Sequence, residues 1–570
     1  MLPSRSDRRW QAEWTTGVCA ALLLVALEVW FPLFFLNDDN LNGSMPLWVE
    51  MGRNLLAGRN PFVSQHLMGG GYRLYTDPSF VGGSLHPWML ASGAICNFAP
   101  PWWVVELVAG PFLVLAAVSF CWMARRMAVF FGFELPGGRL VFVSVAYAFA
   151  GCNLVMGANW SIFLAWPSAL CLVAGALVLP SRKASVLVAG LALVHGMMGS
   201  HPQASAYSLL ALAGWAVFLR LHTGRIESYA RLLMAGALAA LLLSPLLVPA
   251  IGTFGDSFRG TKDLVRTFVS PHLTPTPLFL LHTLLLGPHG PSAGTYQLWQ
   301  MSPGTYQTTP FIASTWALIV CALGYRRGLP GRRLVWGGVA GLVVAFFLTA
   351  QIPLIAEMLT EIPLLRSFRW PMRQFFLVAF FLSVAGLPLL AAANARAFWA
   401  GAVAGSLALG CAFALNGVPF FNYGPRSSER WMVISGEGKR VWDAIRRDLP
   451  ADAIILPTED IENVRSRGWR GFGWLAGFNY PCLFEVRSAS GYSVTKPRAL
   501  DFNGRSPYAW PGVLLLEADL ALAHAAFPKL HEVRYAPGPE DALLVTSPEG
   551  VARRYPFRLP PLGVRDVPHP

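Results

Sequence analysis

The feature that most constrains this chain is the recurrence of uncharged, apolar blocks of about 16 to 22 residues, each near the length a helix needs to cross hydrocarbon. Backbone polar groups find no water there, so spans must be helices or a closed barrel, and blocks of this length without two-residue alternation select helices. Composition agrees, since 54% of the 570 residues are hydrophobic, 13% are charged and mean hydropathy is +0.46. That balance excludes a soluble globular enzyme, in which roughly a quarter of positions are charged. The net charge of +13 lies mostly in loops and the last part of the chain, where it reports topology or contact with anionic lipid. No nucleic-acid partner is expected.

Cys19, Cys121, Cys152, Cys171, Cys321 and Cys411 fall in apolar blocks, and neither CxxC nor a metal-type His/Cys spacing occurs, so no disulfide framework is expected. The first block follows Arg5, Arg8 and Arg9 and runs from Thr16 to Leu36 without a small-residue cleavage site, which predicts a retained signal anchor.

Short basic loops at Arg125-Arg126, Arg139, Arg182-Lys183, Arg220 to Arg231, Arg326 to Arg333 and Arg396 are the kind that stay cytoplasmic. Threading the chain through them predicts eleven spans, at 16–36, 102–123, 140–157, 161–179, 184–199, 204–220, 232–251, 309–324, 334–352, 374–393 and 398–416. The Gly/Ser/Pro-rich stretch from His86 to Cys96 then lies at the outer interface without crossing. Residues 1–417 thus read as a polytopic α-helical membrane domain with its N-terminus inside, and the loops 37–101 and 252–308 face the outside. So does the segment 418–570, whose strand-length runs (Ala453 to Leu456, Gly512 to Leu516, Ala542 to Val545) and amphipathic Val441 to Leu449 predict a small extracytoplasmic α/β domain.

The first outer loop opens with Asn37-Asp38-Asp39-Asn40 directly after a span, placing two carboxylates at headgroup height. A carboxylate there can act as general base on a hydroxyl or hold a cation; Asp and Asn also terminate and cap helices. Downstream, Met45 to Leu56 has helical periodicity. Met68-Gly69-Gly70-Gly71-Tyr72 and Tyr75-Thr76-Asp77-Pro78 combine turns, aromatic rings and an acid, a mixture suited to sugar contact and equally to an ordinary flexible turn. Leu365 to Arg373 (LRSFRWPMR) enters a late span from the outside, where Arg366, Arg369 and Arg373 run against the positive-inside bias. Pro371 suits a first helical turn, so Arg369 and Arg373 form a phosphate seat or else snorkel to lipid. Gly199-Ser200-His201-Pro202-Gln203 is a polar outer turn between two spans, functional or structural, and Glu28 and Glu106 read as paired structural acids.

In this order, Asp38-Asp39, Pro46-Leu47-Trp48, Met68-Gly69-Gly70 with Tyr75, the Gly199 to Gln203 turn, Phe368 to Arg373 and Gly491-Tyr492-Ser493 resemble the YfhO family of bacterial membrane proteins, within the GT-C superfamily of polytopic glycosyltransferases. The resemblance covers nearly the whole chain. It implies transfer of a sugar from a polyprenyl-phosphate donor to an envelope glycan or lipid acceptor outside the bacterial cytoplasmic membrane. The first-loop acid, Asp38 or Asp39, would be catalytic, and Arg366, Arg369 and Arg373 would bind donor phosphate. Gly70, Tyr75, Asp77, His201 and Gln203 would contact substrate. No cofactor is required, although two acids can hold a divalent cation. A lipid or sugar transporter or flippase would also have many spans, with repeated halves and broken helices that the sequence does not display, and a non-catalytic scaffold for envelope assembly would account for the tail.

Overall fold

The structure, a computed structural model, describes residues 11–36, 40–67, 70–76, 85–255, 315–322, 328–349, 358, 361, 374–416, 433–457, 480–489, 524–525, 527–536 and 540–558. Its bundle is built from α1 (Gln11–Trp30), α2 (Met45–Leu56), α3 (Pro87–Ile95), α4 (Trp103–Phe131), α5 (Gly137–Ala148), α6 (Gly151–Asn159), α7 (Ala165–Ala176) and α8 (Arg182–Met198). It continues through α9 (Pro202–Thr223), α10 (Glu227–Gly255), α11 (Thr315–Ala322), α12 (Arg332–Thr349), α13 (Phe375–Ala392) and α14 (Ala395–Asn416). Among the described residues, α1, α4, α9, α10, α12 and α13 are long and apolar enough to cross a membrane, six in all, or seven if α5 and α6 count as one bent span. The expected eleven are not reached. Apolar helices do stand at other expected positions, but Ser161–Ala176 is short, α8 has 17 residues and α11 has 8.

The expected continuous span over 140–157 is bent by 41° between α5 and α6. Ala150 takes an extended ψ of 144°, and Asn153 Nδ2 donates to the carbonyls of Tyr147 (3.0 Å) and Ala148 (3.2 Å) that the bend frees. A side chain that re-satisfies the backbone in this way lets a helix break away from water. Burial sorts the helices: α13 is almost wholly enclosed, whereas α1 exposes Trp14, Leu22, Val25 and Val29. An outward apolar stripe of that kind is what lipid would cover.

The basic loops gather at one end of the bundle. Arg139 donates to the carbonyls of Leu390 and Ala393 at the close of α13, and Arg231 bonds the Leu177 and Leu179 carbonyls after α7. Arg125 pairs with Glu13 (2.6 Å), and Arg333 Nη1 lies 3.3 Å from His222 Nδ1. Guanidinium groups at helix C-termini satisfy orphan carbonyls and meet the negative end of the macrodipole.

At the opposite end, α2 and α3 cross at backbone contact. A Cβ on Gly52 would sit 2.1 Å from Gly93 C, and one on Gly93 would sit 2.0 Å from Trp48 O, so only glycine fits at either position. The nine residues of α3 are too few to cross hydrocarbon, in line with an interfacial segment over 86–96. Beyond α2, β1 (Val63–Ser64) pairs antiparallel with β2 (Tyr72–Arg73).

The tail contributes α15 (Glu437–Asp448), β3 (Ile454–Pro457), α16 (Tyr480–Phe484), β4 (Arg487–Ser488), β5 (Leu530–Ala536), β6 (Ala542–Thr546) and β7 (Ala552–Pro556). Its strands form a mixed sheet of order β4-β3-β5-β6-β7, parallel across β4-β3-β5 and antiparallel thereafter. The expected helix near 441–449 and strands near 453–456 and 542–545 are present, while Gly512 to Leu516 lies outside the described residues. Trp48, Met51 and Leu67 of the first loop share one apolar cluster with Trp442, Tyr480 and Val533 of the tail, so loop and tail lie on the same side of the bundle.

Candidate functional site

Asp38, Asp39, Asp77, Arg366, Arg369 and Arg373 lie outside the described residues; Gly70, Tyr75, His201 and Gln203 lie within them. Leu36 and Asn40, on either side of residues 37–39 in sequence, lie within the described residues. After α1, Leu33 adopts φ 58°, and the turn around it is held by two carboxylates: the Leu33 N–H donates to Glu28 Oε2 (2.9 Å) and the Phe35 N–H to Glu106 Oε1 (3.1 Å). This agrees with the structural reading of Glu28 and Glu106.

Asn40, immediately after the acid pair, is fully buried. Its Nδ2 donates to Gly157 O (2.6 Å), Phe35 O (2.9 Å) and Ala158 O (3.0 Å), and its Oδ1 accepts from the Ser161 N–H and the Ser161 hydroxyl, both at 2.9 Å. One amide therefore binds the start of the first loop to the turn that ends α6. The same turn receives the other motif. The His201 N–H donates to Ile162 O (3.0 Å), and the His201 ring stacks on Phe163 with centroids 5.4 Å apart and planes 13° from parallel. His201 Nδ1 accepts the Gln203 N–H (3.2 Å), capping α9, and Gln203 is buried behind it. Residues 40 and 201, far apart in sequence, thus converge on residues 157–163.

Beneath the Gly199 to His201 turn runs a directed chain of polar groups. The Trp88 N–H donates to His86 Nδ1 (3.1 Å), so His86 carries its proton on Nε2 and donates to His195 Nδ1 (3.0 Å). His195 Nε2 in turn donates to Ser168 Oγ (2.9 Å), which donates to Ala165 O (2.9 Å). Every tautomer follows from the backbone N–H at the start. Gly199 is packed against this chain: a Cβ there would meet Ala165 Cβ at 2.6 Å and His86 Cδ2 at 3.3 Å.

Gly70 and Tyr75 belong to a second region, the seam between loop and tail. Gly70 has φ 95° with Gln65 O beside it, and Tyr75 sits in a short turn packed on α10. Glu50 on α2 is buried here and accepts from His66 Nδ1 (2.6 Å), Ser64 Oγ (2.7 Å) and the Gln65 N–H (2.8 Å). Burial alone raises its carboxyl pKa, but the His66 and Ser64 contacts outweigh that and hold it below the ordinary value. Across the seam, Arg53 Nη1 donates to Cys482 O (3.2 Å) and pairs with Glu485 (3.1 Å), while the Ser488 N–H donates to His66 O (2.7 Å).

The sequence did not point to Glu50, His66, His86, His195 or Asn153. The available signal was a polar residue inside an apolar block, as at Asn153 and His195, or a carboxylate among apolar neighbours on a buried helix, as at Glu50. A cavity of about 500 Å³ lined by Ala128, Phe133, Glu134, Leu329 and Pro388 opens at the basic-loop end, away from both regions. Among the described residues no cluster of His, Cys, Asp or Glu could hold a metal ion. Compared with protein-family models and with curated proteins, the chain gives no match.

Proposed function

We propose that this chain is a GT-C-like membrane glycosyltransferase that moves a sugar from a polyprenyl-phosphate donor to an extracytoplasmic envelope glycan or lipid. The observation that supports the reading most is the convergence on residues 157–163, where Asn40 tethers the chain next to Asp38 and Asp39 and the His201 turn is bound alongside. In this reading the N-terminus is cytoplasmic, the bundle has about eleven spans, and the loop and tail, which share a side, face the outside.

The chemistry is a single displacement. Asp38 or Asp39 takes the proton of the acceptor hydroxyl, the acceptor oxygen bonds to the anomeric carbon, and the bond from that carbon to the phosphate oxygen breaks, inverting the centre. Arg366, Arg369 and Arg373 offset the charge left on the polyprenyl phosphate. A divalent cation between the two acids is compatible with this scheme and is not needed by it.

Asp38→Asn, Asp39→Asn and the double variant test the reading, with transfer from a polyprenyl-phosphate hexose measured at matched membrane levels. At least one single variant should lose about a hundredfold or more, the scale of a lost general base. Full activity in all three would remove the acids from the mechanism. The break between α5 and α6 favours a flippase as the second reading, because interrupted helices with polar caps line transport paths. A flippase would carry the sugar-lipid across vesicles without forming a glycosidic product.

A further inference from the structure

We propose that His66 is a sugar-binding residue, whose Nε2 hydrogen-bonds a hydroxyl of the donor sugar at the seam between the first loop and the tail. The inference rests on the transferase reading and adds a contact that the motifs did not supply.

The ring is oriented by Glu50. A carboxylate can only accept, so the 2.6 Å contact places a proton on Nδ1 and turns Nε2 to the far edge of the ring. Glu50 is itself held by Ser64 and the Gln65 N–H, and Ser64 Oγ also accepts the N–H groups of His66 (3.2 Å) and Leu67 (3.1 Å). The pair is therefore built like a carboxylate-oriented imidazole, in which the buried acid sets the direction of the outer nitrogen.

That nitrogen is unused. Among the described residues Nε2 has no hydrogen-bond partner, and the His66 side chain is 14% exposed, whereas His86 and His195 have both ring nitrogens engaged. Five positions after His66, Gly71 has φ 72°, and a Cβ built there would meet nothing within 4 Å. The backbone of His66 is clamped from the tail by Ser488, which fixes the ring between the two segments.

The chemistry selects the ligand class. With the Glu50 carboxylate behind it, the pair has no net positive charge whether or not Nε2 bears a proton, so a neutral hydroxyl, which can both donate and accept, suits the site and a phosphate does not. A donor that carries both groups would present its sugar here and its phosphate elsewhere.

Diethylpyrocarbonate labelling of the full chain in nanodiscs, read residue by residue by mass spectrometry, tests this. His66 should label faster than His86 and His195. A polyprenyl-phosphate hexose should slow labelling at His66, and sugar-free polyprenyl phosphate should not. Native mass spectrometry run in parallel should show His66→Gln weakening hexose-lipid binding by roughly fivefold, the worth of one neutral hydrogen bond, with sugar-free lipid unaffected. Equal protection by both lipids means that lipid or phosphate covers the ring and overturns the proposal. Binding of the hexose lipid without protection of His66 overturns it alone, leaving the transferase reading intact. Failure of the hexose lipid to bind at all removes that reading and this inference together.

Discussion

At the scale of single residues, Asn40 binds the start of the first loop to the turn after α6. Its amide serves three carbonyls and two donors of Ser161, so Asn40→Ala strands several buried groups at once. The expected cost is about 2–4 kcal/mol, read as a lowered unfolding midpoint of the detergent-solubilised chain. Asn40→Asp should lose nearly as much, because the carboxylate keeps the acceptor and discards the donors. An unchanged midpoint in both would mean that the turn at 157–163 holds itself. The sequence shows Asn40 only as one member of a polar run, since all its partners but Phe35 are 117 to 121 positions away. The pairing of Glu50 with His66, 16 positions apart, is hidden too, because it joins a helix to the strand pair that follows it. Side chains whose partners are remote are invisible to spacing arguments, whereas local caps such as His201 over Gln203 are legible.

Among elements, the polar chain through His86, His195 and Ser168 joins the start of α3 to α8 and α7 at one level. Burial pushes the His86 pKa down from 6.5 to about 4. The folded state then binds fewer protons than the unfolded chain between those values, so the contribution of His86 is complete above pH 6.5 and is lost as pH falls toward 4. Its ring faces Phe112, His195 and Gly199, with no carboxylate or guanidinium bonded to it among the described residues. Unfolding midpoints measured from pH 7 down to pH 4 should fall less steeply in His86→Asn than in the parent, and parallel slopes would show that the ring gains a proton without penalty. Element types were legible where periodicity is strong, as in α2 and α15. The bend between α5 and α6 was not, because no proline or glycine pair marks it and Asn153 acts only once the carbonyls are free. β7 was missed because four of its five residues are exposed and only Tyr555 is buried, leaving no apolar run to find.

For the whole molecule, the two ends are opposite in chemistry: arginines cap helix termini at one, and loop and tail interlock at the other. Cysteines introduced for exposed Arg59 and Arg553 should react with a membrane-impermeant thiol reagent from one face, and a cysteine at exposed Arg225 from the other. Labelling of all three from a single face would contradict the arrangement. The net basic character and loop positions made this polarity legible in advance. Which tail residues meet the loop was not, because Arg53 with Glu485 and Ser488 with His66 are contacts between distant, individually ordinary positions.

The seam also sets a timetable for biogenesis. Ser64 and Cys482 are separated by 418 positions, so at synthesis rates of roughly 5–20 residues per second the first loop waits about 20 to 80 s for its neighbour to emerge. Throughout that interval Glu50 and Arg53 lack the surface that later encloses them. Nascent-chain length, and not the loop's own sequence, decides when that face of the protein is finished, and a ribosome stalled short of residue 482 leaves the helices made and the loop side of the seam still open.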